Sequence, residues 1–425
     1  MVCVSTCACR ARLRRCGLPS PDPFWPGDHR AGAVFTARAL IDAMITVERC
    51  WLESLADAGI AEAAQPELIT PEVITDADLE RIFTESEAAG NPVPALLRHL
   101  RDRLPEATAE WLHRGLTSQD VVDSAMMIMV GDVLAELDLQ LGRQTEVLCR
   151  LADEHRDDVM PGRTLGQPAV PITFGLKAAN WLTGVLDAAD AIAGLGRPAQ
   201  FGGAAGTMAA GTELARQARL REPATVARRL AESAARRSGL RPAPPWHTSR
   251  APVTRIGDAL ADCCTAWGRI ANDVITGSRP EIGELAEAAG GGSSTMPGKA
   301  NPILSIMIRR AALAAPSSVE RLRLAAAEAT EERSPGGWHL EWTALAELSR
   351  HTLTASGQTS ELVAGLRIDA TRMRRNCSDD LLAEASSMIT IRQSAEPPSR
   401  PDDYLGTCSL IIDAVLARAS DGNKG

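Results

Sequence analysis

The chain has 425 residues, of which 45% are hydrophobic and only 3% aromatic, and 45 Lys and Arg against 54 Asp and Glu give a formal net charge of −9. The hydrophobic content excludes a wholly disordered chain, and the length allows either two or three domains or one large helical body. The acidic balance argues against a general nucleic-acid binder, so no nucleic-acid partner is expected.

Alanine and leucine abound, and β-branched alternation is scarce, which predicts an all-α protein. The ten cysteines show no C-x-x-C pairing and no nearby Cys/His cluster. Reduced thiols, no metal ligands and a cytoplasmic location are therefore expected. Residues 1–20 are rich in Arg and Cys and lack an apolar core segment, so they read as a disordered leader or as sequence upstream of the true start, with an organellar presequence as the lesser alternative. The most apolar long segment, residues 121–137, is interrupted by Asp123, Gly131 and Asp132, so no membrane role is expected.

Phe24 to Arg30 is an irregular lead-in whose His29 and Arg30 read as solvated. From Thr36 onward Leu40, Met44, Val47, Trp51 and Leu55 recur at helical spacing until Gly59. Short helical pieces broken by Pro66, Pro71, Pro92, Pro94 and Pro105 follow, and residues 21–112 together predict an N-terminal helical domain.

His113-Arg114-Gly115-Leu116-Thr117-Ser118-Gln119-Asp120 is a tight polar turn that leads into a proline-free helix from Gln119 to about His155. In that helix Met126, Met127 and Met129 read as packing residues. Thr117 and Ser118 have an ordinary reading as helix caps and a functional one as hydroxyls facing an anion, with His113 beside them. Arg163 to Pro171 is a second polar turn, before a helix at about 173–195. Gln200 to Thr207 is a Gly/Ala-rich bend that lacks the strand a dinucleotide fingerprint requires. Pro245-Trp246-His247 opens a helix at 253–278, and His247 alone reads as structural.

The segment Gly291-Gly292-Ser293-Ser294-Thr295-Met296-Pro297-Gly298-Lys299-Ala300-Asn301-Pro302 gathers backbone freedom, hydroxyls and a cation. Asn301-Pro302 reads as the cap and first turn of a further helix, whose free amides would face an anion near Lys299. Residues 113–350 thus predict a central long-helix bundle with a catalytic loop at 291–302. Residues 351–425 predict a small C-terminal helical domain, interrupted by the proline-rich stretch 393–401.

The loop resembles the G-S-S-x-M-P-x-K-x-N-P signature of the fumarase/aspartase superfamily, and 113–120 and 162–171 resemble its two other active-site regions. Gln200 to Thr207, Pro245 to Thr248 and Trp338-His339-Leu340-Glu341-Trp342 are most similar to the bacterial 3-carboxy-cis,cis-muconate cycloisomerase group, and the similarity covers about residues 24–385. It implies a three-domain all-helical fold and a homotetramer with a twenty-helix core and active sites shared between subunits. It also implies a cofactor-independent reaction on a small di- or tricarboxylate.

By the same resemblance Ser293 is the base that removes a proton α to a carboxylate, with Lys299 and His113 as the other catalytic residues. Thr117, Ser118, Thr164, Gln167, Ser294 and Asn301 are the expected substrate-binding residues. Relatives that expel an amine carry histidine after the threonine of the second region; here Leu165 stands there and cannot transfer a proton. A leaving group of low pKa needs no such acid. Lactonisation of carboxymuconate is the leading expectation. Release of nitrite and fumarate from nitrosuccinate is its rival, adenylosuccinate cleavage ranks lower, and a silent scaffold is a distant third class. Gly298 and Ala300 stand where the cycloisomerase group typically has His and Arg.

Overall fold

The structure is a computed structural model that describes residues 21–288, 291–292, 296, 299–389 and 398–422. Its elements run α1 (Ala37–Asp57), α2 (Asp76–Ala89), α3 (Val93–Arg101), α4 (Glu106–Ala109), α5 (Ser118–Glu154), β1 (Val159–Thr164), β2 (Gln167–Thr173), α6 (Phe174–Ala193), α7 (Ala209–Gln217), α8 (Pro223–Arg237) and α9 (Ala251–Gly277). They continue with β3 (Leu285–Ala286), β4 (Gly291–Gly292), β5 (Ala300–Asn301), α10 (Ile303–Ala327), α11 (Gly337–Ala364), β6 (Arg367–Ile368), α12 (Ala370–Arg375), α13 (Ala383–Ile389) and α14 (Cys408–Gly422). The expected all-α class holds: the strands are short and form only two-stranded pairs, β1 with β2, β3 with β6 and β4 with β5.

The chain divides into two compact units. The first comprises Met1–Ala135, Leu195–Gly257 and Ser318–Arg350, and the second Glu136–Gly194, Asp258–Ser317 and His351–Gly425. Helices α5, α9, α10 and α11 each contribute residues to both.

In the first unit α1 begins where the Thr36 hydroxyl accepts the Ala39 amide at 3.2 Å. It buries Ile41, Met44, Ile45, Val47, Trp51 and Leu55. Each such side chain contributes about 1.5–3 kcal/mol on leaving water. The Trp51 ring stacks on Phe201 with centroids 5.8 Å apart, and its Nε1 donates to the Arg114 carbonyl at 2.7 Å, which ties α1 to the turn that follows residue 112. The irregular lead-in is anchored rather than loose. Asp28, 3% exposed, receives Arg350 Nε at 3.0 Å and Nη2 at 2.5 Å.

In the second unit Phe174, Trp181 and Trp267 are fully buried. Trp267 Nε1 donates to Gln144 Oε1 at 2.7 Å, and Gln144 Nε2 donates to the Ser356 carbonyl at 3.0 Å, so the polar edge of this buried ring is satisfied. The second polar turn of the sequence is a β-hairpin here, with register Val159↔Thr173 and Thr164↔Gln167. The two residues at its tip, Leu165 (φ 51°) and Gly166 (φ 83°), are both left-handed, the geometry of a type I′ turn.

Among the described residues no helix is long and apolar enough to cross a membrane.

Candidate active site

The first unit holds His113, Thr117 and Ser118. Glu48 projects from α1 and is 1% exposed, and it accepts both the His113 amide (3.1 Å) and His113 Nδ1 (2.6 Å). That double contact holds His113 in a left-handed backbone conformation, φ 65°, which is uncommon outside glycine. Burial disfavours its imidazolium, but the charge and hydrogen bond of Glu48 outweigh it, and the pKa moves up. The histidine is thereby biased towards a cation.

Thr117 caps α5 in an unusual way. Its amide is taken by Asp120 Oδ2 at 3.0 Å, while its hydroxyl accepts from Arg333 Nη2 at 2.6 Å. The hydroxyl proton is therefore available to a ligand. Arg333 has no carboxylate partner among the described residues, and its buried Nε has no hydrogen-bond partner. A partly buried guanidinium with no counter-charge among the described residues, seated on a hydroxyl at a helix start, has free donors of the kind that pair with a carboxylate.

Behind this turn lies a buried charged network. Arg250 forks onto Asp123 (Nη1 to Oδ2 2.7 Å, Nη2 to Oδ1 3.1 Å) and donates to Glu341 from Nη2 at 2.6 Å. All three are at most 5% exposed, Trp338 Nε1 donates to Asp123 at 2.9 Å, and Arg250 lies 4.7 Å over the Trp246 ring. Burial is the largest influence on Glu341 and raises its pKa despite Arg250. The Pro-Trp-His and Trp-His-Leu-Glu-Trp motifs of the sequence thus meet in one framework.

The second unit holds Thr164, Gln167, Lys299 and Asn301. Thr164 and Gln167 face each other at the hairpin tip and are exposed, and Leu165 between them is fully exposed. The hairpin is fixed from below by Arg163, which donates to both oxygens of Glu284 at 2.8 and 2.6 Å, while Asn376 Nδ2 adds a third bond at 2.7 Å. Lys299 is exposed, and Asn301 pairs with Gly291 in the β4–β5 ladder. Ser293 and Ser294 lie outside the described residues.

One expectation of the sequence is corrected at this point. The amides opening α10 do not face a ligand: Glu287, 3% exposed, accepts Leu304 N at 3.1 Å, Ser305 N at 2.8 Å and Ser305 Oγ at 2.7 Å. The protein's own carboxylate fills that helix N-terminus, and Asn301 belongs to a strand rather than serving as the cap.

Sequence reading missed Glu48, Glu287 and Arg333. Glu48 lies 65 residues from its partner and Arg333 lies 216 from Thr117, so no local pattern announces either. Among the described residues no group of His, Cys, Asp and Glu is arranged to hold a metal.

Comparison with known proteins gives the family. The lyase family is matched over residues 29–315. Nitrosuccinate lyase of Streptomyces davaonensis is 41% identical over 330 residues, 76% of this chain and 67% of that one. The 3-carboxy-cis,cis-muconate cycloisomerase of Pseudomonas aeruginosa is 36% identical over 378 residues, 85% and 79% of the two chains. Among solved structures, 3-carboxy-cis,cis-muconate lactonizing enzyme from Pseudomonas putida superposes with a TM-score of 0.80 at 26% identity, covering 91% of this chain and 96% of that one. The chain belongs to this lyase family and is an enzyme of the fumarase/aspartase superfamily.

Proposed function

We propose that the enzyme catalyses β-elimination from a C4 dicarboxylate whose leaving group departs as a stable anion, with nitrosuccinate giving fumarate and nitrite as the specific case. Arg333 carries this reading: its guanidinium lacks a counter-charge among the described residues and rests on the Thr117 hydroxyl. One substrate carboxylate is received by Arg333, the Thr117 and Ser118 hydroxyls and His113, whose pKa Glu48 raises against the effect of burial. The other falls to Lys299, Asn301 and Gln167, with Thr164 and Ser294 adding hydroxyls. Turns from different subunits of a homotetramer complete each site.

Ser293 removes the proton from the methylene carbon, the adjacent carboxylate takes up the charge as an aci-form, and the C–N bond to the nitro group breaks. Charge develops on that carboxylate, so donors aimed at it lower the barrier most. Nitrite leaves without a proton, in keeping with Leu165 at the position where amine-releasing relatives place an acid. Two features favour a dicarboxylate: the 41% identity to a nitrosuccinate lyase, and Ala300, which supplies no cation for a third carboxylate. The second reading is lactonisation of 3-carboxy-cis,cis-muconate, favoured by the longer match to cycloisomerases and the TM-score of 0.80.

Incubating purified protein with each compound decides between them. Equimolar fumarate and nitrite from nitrosuccinate establish the first reading, and loss of diene absorbance from carboxymuconate establishes the second. Turnover of neither removes both.

A further inference from the structure

We infer that Asp120 is a positioning residue for the carboxylate-receiving turn at Thr117, and that His247 holds it in place through a donated hydrogen bond. This rests on the function proposed above. Asp120 is 0% exposed, and both its oxygens are saturated. Oδ1 accepts the Gly202 amide at 2.7 Å and lies 3.3 Å from His247 Nε2, and Oδ2 accepts the Thr117 amide at 3.0 Å and the Gly203 amide at 2.9 Å. An ionised carboxylate without partners at such depth is strongly unfavourable, whereas three backbone amides stabilise it.

An ordinary capping residue at this point of a helix would satisfy only its own cap. Asp120 instead joins two loops far apart in sequence, and these loops carry two oxygens that accept from Arg333 Nη2, Thr117 Oγ1 at 2.6 Å and Ala204 O at 3.5 Å. Fixing Thr117 and Gly203 against one carboxylate therefore fixes the place where Arg333 waits for its anion.

The loops are built for the approach. Gly203 has φ 69°, which side-chain-bearing residues rarely adopt, and a Cβ at Gly202 would lie 2.8 Å from His247 Cε1. His247 is 6% exposed, and its carbonyl accepts from Gln119 Nε2 at 2.9 Å and Arg250 Nη1 at 3.3 Å. The ring is thus presented to Asp120 by the buried Arg250 network. A carboxylate can only accept, so Nε2 carries the proton in this contact.

The experiment compares native enzyme with His247→Gln, His247→Leu and Asp120→Asn, reading fumarate affinity by calorimetry and kcat and KM separately. The Gln side chain offers an N–H donor near the position of Nε2 and cannot titrate; Leu fills similar space and donates nothing. We expect His247→Gln to stay within about threefold of native, while His247→Leu and Asp120→Asn weaken fumarate binding and raise KM about tenfold or more, with a smaller change in kcat. Equal behaviour of Gln and Leu, or an unaffected Asp120→Asn, overturns the proposal. Should Asp120→Asn not fold, the His247 pair decides alone, since it leaves the three amide bonds in place. A native enzyme that binds no C4 dicarboxylate refutes the functional reading instead, and hydrogen exchange then reads the clamp directly. Faster exchange of the Thr117, Gly202 and Gly203 amides in His247→Leu than in His247→Gln supports it, and equal rates overturn it.

Discussion

Replacing Arg333 by alanine separates a receptor from a structural cation. In the protein itself this side chain makes one short hydrogen bond, Nη2 to Thr117 Oγ1 at 2.6 Å, and its Nε is buried without a partner. Losing one bond from a guanidinium to a neutral hydroxyl costs about 1.5 kcal/mol, the low end for a charged donor, and relief of the unsatisfied Nε offsets about 1 kcal/mol of that. Urea unfolding of Arg333→Ala should therefore show a loss below about 1 kcal/mol. A charge-assisted contact to a substrate carboxylate is worth about 1.5–3 kcal/mol, so kcat/KM should fall about 10- to 150-fold. Steady-state kinetics on the substrate that turns over, set beside denaturant curves, gives both numbers. Unchanged kcat/KM with a stability loss above about 2 kcal/mol would show that Arg333 serves the fold, and the reasoning from its missing counter-charge would be wrong.

Arg250→Met leaves Asp123 and Glu341 buried without their cation, and urea unfolding should record a loss of about 3–5 kcal/mol, partly restored when Glu341→Gln is added. Glu48→Gln removes the charge that holds the His113 pKa up, so the alkaline limb of the kcat/KM profile should move to lower pH. The sign for stability follows from the raised folded pKa: the pair contributes fully below the unfolded histidine value of about 6.5 and is lost as pH rises through the folded value. The stability gap between native and Glu48→Gln should accordingly narrow above neutral pH. Leu165→Ala should leave the rate of anion release within a few-fold of native, because no proton passes through that position; a collapse of kcat alone would give Leu165 a direct part in the chemistry.

The long helices were legible because their signals are local: α5 lacks proline over its whole length and repeats its apolar face, and α1 opens on Thr36 and stops near Gly59. The β1–β2 hairpin was not. Pro161, Pro168 and Pro171 hide its strands, and a leucine occupies the left-handed tip where an Asn-Gly pair would have announced a type I′ turn. The residues on the quoted turns stand out as candidates in the sequence itself, but Glu48, Arg333 and the Asp120 links to Gly202 and Gly203 depend on contacts that only the fold creates.

Two helix starts looked equally suited to an anion in the sequence, and the structure separates them by what already occupies their amides. At α10 Glu287 binds two amides and a hydroxyl of the first turn, so the dipole there is answered by a fixed internal charge and contributes to holding the chain around 287–305. At α5 the internal carboxylate is Asp120, which bonds the Thr117 amide and two amides of another loop but leaves the Thr117 hydroxyl to Arg333. The charge balance differs accordingly. The first site is neutralised by the fold; the second adds an arginine, and a histidine whose pKa is raised, to an already satisfied cap. On the function proposed above, a dicarboxylate gains nothing from the α10 amides without displacing Glu287, whereas at α5 a cation and a hydroxyl proton stand with no competing carboxylate among the described residues. Glu287→Gln should therefore lower stability without strengthening anion binding, and tighter fumarate binding in that variant would return the α10 terminus to the list of substrate contacts.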